Sequence, residues 1–315
     1  MANVLGTLFG DIAEAIRGKT GSTDKMAPAD FPAQIASITT GGGSGGGSSG
    51  GGNGTSWEVF EHYIPVTMST YPYGAFVFQD KLHVVFKNST TSKEEIWRCD
   101  EDGWVYFSNY PTSVTDAFAE ANGELHCVQS YLGKHYKFNF DTNTWVQLSE
   151  IPDNSTNYSN KLFAVKNELY VISGSKGKTL LKWDGSAWNT IATLADSPDA
   201  GFCVDGDTLY HMSTTKNLYK YDFVTGEETL IHTHGSNDSW AAYPFVIGGE
   251  VYHGHKDAGR VVRKYVDGYP VDLPVRTIFY NSYGAHVVWN NRLYCFGTYG
   301  STGYSLVASW APASE

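Results

Sequence analysis

The sequence predicts an all-β fold, a closed ring of six four-stranded sheets, and three observations carry that prediction. One short phrase returns six times: Gln79-Asp80-Lys81-Leu82-His83, Asn122-Gly123-Glu124-Leu125-His126, Lys166-Asn167-Glu168-Leu169-Tyr170, Gly206-Asp207-Thr208-Leu209-Tyr210, Gly248-Gly249-Glu250-Val251-Tyr252 and Asn290-Asn291-Arg292-Leu293-Tyr294. Its apolar markers Leu82, Leu125, Leu169, Leu209, Val251 and Leu293 are 43, 44, 40, 42 and 42 residues apart, the period of one four-stranded blade. Before each phrase lies a short apolar run, such as Gly74–Phe78, Leu162–Val165 or Ala285–Val288, which reads as an innermost strand. After it comes an alternating strand that ends in a turn.

The phrase itself is a hairpin. Asn-Gly, Gly-Gly and Asn-Asn tolerate the positive φ angles of a two-residue turn, so each copy joins two antiparallel strands. The strand that follows reads Ile96-Trp97-Arg98-Cys99-Asp100 before Trp104, Tyr136-Lys137-Phe138-Asn139-Phe140-Asp141 before Trp145, and Lys182-Trp183-Asp184 before Trp188. Tyr219–Asp222 and Arg263–Tyr265 keep the pattern without the Trp. The Asp residues there are expected to form Asx turns and not to act as acids.

In this recurrence, Asn/Asp-Gly-x-Leu-Tyr followed by Tyr-x-Asp and Trp, residues 55–315 resemble the kelch motif. The resemblance implies a six-bladed β-propeller. The sequence departs from that motif in lacking the Gly-Gly doublet that usually closes the second strand; Ser173-Gly174 and Phe296-Gly297 come nearest.

Ahead of the repeats, Val4, Leu5, Leu8, Phe9, Ile12 and Ile16 recur at three- and four-residue steps, the face of an amphipathic helix over about 3–17. A second short helix is expected over 31–38, capped by Asp30 with Pro32 in its first turn. These 40 residues make too small a core to fold alone, so their apolar face is expected to meet a partner or its own copies. The words of this segment, from Ile12-Ala13-Glu14-Ala15-Ile16-Arg17-Gly18-Lys19-Thr20-Gly21 to Pro28-Ala29-Asp30-Phe31-Pro32, are similar to a segment that recurs in phage and prophage tail proteins of Firmicutes-type hosts. That similarity implies a virion tail or baseplate appendage. The uncovered apolar stripe of residues 1–40 is expected to attach it to other tail proteins and to assemble it as a symmetric oligomer, a homotrimer first of all.

Residues 41–54 are almost pure Gly and Ser, a flexible tether. Beyond it, Trp57–Pro65 reads as the outer strand of a blade, whereas the last repeat ends at Trp310 with no outer strand of its own. The N-terminal strand is therefore expected to complete the C-terminal blade, which removes the edges an open ring would expose.

Composition narrows the partners. A net charge of −11 argues against a nucleic-acid partner, no run has the length of a membrane span, and Met1–Ile16 lacks the form of a signal peptide. Cys99, Cys127, Cys203 and Cys295 sit in separate blades without CxxC spacing and are expected to be buried free thiols. Two His-x-His pairs, His232/His234 and His253/His255, have metal-ligand spacing but no third ligand fixed by the pattern, and no metal or cofactor is assigned.

The loops that lead into each innermost strand are long and aromatic. With the loops after the second strands they should gather on one face around the axis and present Tyr158, Asp238, Trp240, Tyr243, His255, Tyr280, Tyr283 and Tyr299. Rings beside Asn, Asp and Ser suit a sugar, whose C–H faces stack on aromatics while its hydroxyls take hydrogen bonds. The expected function is recognition of a host cell-surface glycan or protein. No catalytic group is assigned, and the alternative is a glycan-cleaving enzyme using loop residues such as Asp116, Asp196 or Asp238 with His255.

Overall fold

A computed structural model describes residues 58–59, 64, 72–111, 116–129, 132–152, 160–174, 176–199, 201–213, 217–234, 241–255, 261–276, 285–299 and 304–312. All their regular elements are strands, in six antiparallel four-stranded sheets. Both expected helices lie outside the described residues.

Blade 1 is built from β2 (Gly74–Phe78), β3 (Lys81–Lys87), β4 (Glu94–Asp100) and β5 (Gly103–Asn109). Blade 2 follows as β6 (Asp116–Ala121), β7 (Glu124–Gln129), β8 (His135–Asn139) and β9 (Thr144–Gln147). Blade 3 holds β10 (Lys161–Val165), β11 (Glu168–Ser173), β12 (Thr179–Trp183) and β13 (Trp188–Thr193). Blade 4 holds β14 (Gly201–Asp205), β15 (Thr208–Met212), β16 (Asn217–Asp222) and β17 (Glu228–Thr233). Blade 5 holds β18 (Ala241–Ile247), β19 (Glu250–His255), β20 (Val261–Val266) and β21 (Tyr269–Arg276). Blade 6 takes only three strands from the C-terminal region, β22 (His286–Trp289), β23 (Arg292–Tyr299) and β24 (Tyr304–Trp310). Its fourth is β1 (Glu58–Val59), paired Glu58 to Ser309 and Val59 to Ala308. The fold is thus a six-bladed β-propeller closed by its N-terminal strand, as the sequence predicts.

The six repeated phrases are the two-residue turns between the first and second strands of each blade. Both turn residues have positive φ in Gln79-Asp80, Asn122-Gly123, Lys166-Asn167, Gly248-Gly249 and Asn290-Asn291, and the first one does in Gly206-Asp207. These turns collect on one face, where they also join blades: Gln79 N–H donates to Glu120 Oε2 (2.8 Å), Trp289 Nε1–H to Asp80 Oδ1 (3.0 Å), and Lys166 pairs with Asp207 at 2.6 Å.

The core is divided among the seams between blades. Leu82, Phe86, Trp104 and Phe296 fill the seam of blades 6 and 1, together with Ile64 from the segment after β1. Phe78, Leu125 and Phe138 fill the next seam, then Leu162, Val171 and Trp188, then Phe163, Leu180 and Leu209. Met212, Leu218 and Tyr265 join blades 4 and 5, and Phe245, Val262, Leu293 and Trp310 join blades 5 and 6. Each marker of the repeat lies in or against such a seam, because alternate residues of a strand face opposite neighbours.

Asx turns close the third strands, with a correction. Asp184 Oδ1 accepts from Ser186 N and Ala187 N, and Asp222 Oδ1 from Val224 N and Thr225 N, contacts that hold both carboxyls below the usual range. In blade 2 the turn former is Asn139, not Asp141: its Oδ1 accepts from Asp141 N and Thr142 N. Asp100 instead pairs with Arg98 (2.7 Å) and Lys81 (2.6 Å), which hold it at about 2.

All four cysteines are free. Cys99 and Cys127 are buried as expected, whereas Cys203 and Cys295 are only half-buried, because Cys203 stands on an innermost strand beside the open channel.

Buried imidazoles give the ring an acid-sensitive seam. His83 lies fully buried against Phe76 and Phe107, its Nδ1–H donating to Lys81 O at 2.9 Å, and burial lowers it to about 4. His135, also fully buried, is lowered to about 3 by burial and by His126, 3.0 Å away. A folded-state pKa below the unfolded value of about 6.5 means that the unfolded chain binds more protons, so stability is full above pH 6.5 and is lost as pH falls towards 4. Each imidazole is expected to withdraw on the order of 2 kcal/mol by pH 4.5. Melting scans across this range should show the decline, and His83→Phe should lessen it by the share of that imidazole; a melting temperature constant from pH 7 to 4.5 would contradict this.

Candidate functional site

The innermost strands all enter the ring from the loop face and end at the turn face. In every sheet the innermost strand pairs on one side only, so alternate N–H and C=O groups of β14, β18 and β22 point into the central channel without a strand partner.

At the loop-face mouth stands Tyr243. The register of β18 against β19 shifts between Ala242 and Pro244, which makes Tyr243 an extra, bulged residue with φ of 57°. Bulges re-aim side chains, and a bulky residue at positive φ is strained. Its ring is 38% exposed and lies 4.6 Å from that of His286, the first residue of β22. On its other side is Gly201, the first residue of β14, with φ of 129°. A Cβ there would come within 2.6 Å of Tyr243 Cδ1 and 2.9 Å of its Cα. Glycine is required at 201 for Tyr243 to stand where blades 4, 5 and 6 converge. Burial lowers the His286 imidazole to about 4, so it is neutral at physiological pH.

Deeper in the channel, between the same three innermost strands, is a cavity of about 530 Å³. It runs from Phe202, Pro244 and His286 to Asp205, Gly248, Gly249 and the turn Trp289-Asn290-Asn291. Sequence reasoning missed it. The Asn-Asn and Gly-Gly signals read as turn formers, which they are, and no pattern says that these two turns also border a cavity.

Of the other residues expected on the loop face, Tyr158, Asp238, Trp240, Tyr280 and Tyr283 lie outside the described residues. His255 ends β19 and Tyr299 ends β23, on that face. Asp196 pairs with Lys178 at 3.3 Å. Asp116 opens β6 opposite Gln129.

The first His-x-His pair meets its neighbour in the next blade. His232 and His234 rings lie 4.7 Å apart, His253 lies 5.0 Å from His234, and Tyr265 Oη shares a 2.6 Å hydrogen bond with His234 Nε2. This is an aromatic cluster sealing blades 4 and 5. Among the described residues no group of three or more His, Cys, Asp or Glu is placed to hold a metal.

Another buried polar cluster supports the loop face. Glu95 accepts hydrogen bonds from Asn88 Nδ2 (3.0 Å), Thr91 Oγ1 (2.8 Å) and Trp97 Nε1 (2.9 Å), and Asn88 Oδ1 accepts from Thr90 N. With its oxygens engaged by these donors, the carboxylate anchors the loop between β3 and β4.

Fold and channel together define a six-bladed β-propeller with an open axial cavity. Solved structures share the propeller fold. YjhT superposes with a TM-score of 0.60 at 13% identity, over 78% of this chain and 95% of that one. A gluconolactonase-like protein gives 0.55 at 12% identity, over 82% and 93%. A Bacteroides thetaiotaomicron protein of unknown function gives 0.54 at 10%, over 82% and 72%. At such identities the likeness is one of fold. No protein-family model matches the sequence, and no curated protein does.

Proposed function

We propose that the chain is a phage tail appendage whose propeller recognises a host cell-surface glycan or protein through its loop face. Residues 1–40 attach it to other tail proteins and assemble it as a homotrimer, and residues 41–54 tether the ring. Two lines of support differ in kind. The N-terminal words are similar to those of tail proteins, and the loops leading to the channel mouth are rich in rings. The observation that carries the recognition site is Tyr243, a large aromatic left exposed at the mouth on a strained bulge. A buried position would satisfy the ring better, and a turn residue would satisfy the backbone better.

The test uses Tyr243→Gly and Trp240→Ala. Glycine accepts the φ of 57° at position 243, which relieves roughly 1–2 kcal/mol of left-handed strain, so this variant is expected to melt no lower than the parent. Truncating an aromatic anchor costs about 2–4 kcal/mol at an interface, roughly 30- to 1000-fold in affinity. Loss of adsorption to host cells by stably folded variants is the expected result. Full adsorption by both variants would remove the loop face from the proposal. Release of new reducing ends by the parent chain would make it a glycan-cleaving enzyme.

A further inference from the structure

We propose that the axial cavity is a second binding pocket, opening on the turn face, for an uncharged sugar. The inference takes only the ligand class, a sugar, from the proposed function; its location and charge preference rest on the cavity itself. At about 530 Å³ the cavity falls within the range of small-molecule sites, large enough for a sugar ring or a disaccharide.

Its lining matches a polyhydroxylated ring more closely than a hydrophobic ligand. Three strand edges, those of β14, β18 and β22, offer N–H and C=O groups at intervals along the channel. At the turn end, Asn290 and Asn291 add side-chain amides, while the Trp289 indole turns away to blade 1, where it bonds Asp80. His286, neutral at physiological pH, lines the end towards Tyr243. Such a surface supplies many separate donors and acceptors, as hydrogen bonding to the hydroxyls of a sugar requires.

Charge decides between sugar classes. Among the described residues that line the cavity, Asp205 is the one charged side chain and no Lys or Arg is present. Asp205 is exposed at the end of β14, beside the mouth. An incoming carboxylate or phosphate would meet a like charge and find no cation, on a chain whose net charge is −11. Uronic and sialic acids are therefore excluded, and neutral hexoses and N-acetylhexosamines are admitted.

Saturation-transfer NMR on the full chain tests this with N-acetylglucosamine and glucose as neutral probes and glucuronate and N-acetylneuraminate as acidic ones. Transfer to at least one neutral sugar and to neither acidic one is expected. Val246→Trp, which fills the cavity from β18, should abolish it, and Asp205→Asn should retain it while allowing glucuronate to register. Trp240→Ala should leave it intact, which separates this pocket from the loop face. Should Val246→Trp fail to fold, Asp205→Asn decides alone: glucuronate transfer supports the pocket, and its continued absence overturns it. No transfer to either neutral probe, equal transfer to acidic ones, or transfer that survives in a folded Val246→Trp chain also overturns it.

Discussion

A chain cut after Pro65 is expected to aggregate, whereas one that begins at residue 55 melts cooperatively as a soluble monomer. The difference rests on a few residues. β1 covers the outer edge of β24, through Glu58 with Ser309 and Val59 with Ala308. Its removal leaves the outer edge of blade 6 as a long unpaired strand, a template for pairing with other chains. The same cut removes Ile64, 6% exposed, from the seam it shares with Phe86, Trp104 and Phe296. Losing one such side chain costs about 2–5 kcal/mol, and the ring loses its only covalent link across that seam. Light scattering and calorimetry on the two truncated chains give the readout. Equal melting would mean that the ring closes without β1.

Trp310→Ala is expected to be among the most damaging single substitutions. Trp310 has no exposed surface and packs edge-on to Phe245 (6.3 Å) and Tyr252 (5.7 Å) across the seam of blades 5 and 6. It also ends the strand to which β1 adds, so a cavity there loosens seam and closure together. Burial of this size is worth about 3–5 kcal/mol, or a fall of roughly 6–20 °C in melting temperature. The exposed Tyr269, 69% accessible on the rim of blade 5, is the control: Tyr269→Ala should change melting little. A small effect at 310 would show that the seams are loosely packed.

The fold was legible because each repeat states it twice, once in turn chemistry and once in alternation. Asn122-Gly123 needs positive φ and has it; Leu125 alternates with exposed Glu124 and lies buried. The missing outer strand after Trp310 was legible as a shortage. The third-strand turns were less so, because Asp and Asn do the same work: Asp100 and Asp141 fit the pattern, yet Asp100 is spent on ion pairs and Asn139 turns the chain.

The site was legible only in part. Loop aromatics announce a face but not which ring stands at the axis. Tyr243 stands there because a bulge and a missing Cβ at Gly201 coincide across two blades, and such coincidence has no local signature. The axial cavity was hidden for the same reason. Its walls come from residues 202–205, 244–249 and 286–291, each ordinary by itself.

The central claim, recognition of a surface glycan by this ring, is tested most directly by applying the full chain to an array of bacterial cell-surface glycans and then assaying the bound glycan for cleavage. The account predicts retention on a small set of glycans, sharply weakened in Tyr243→Gly, with the glycan left whole. Retention nowhere on the array and no adsorption to host cells would contradict it.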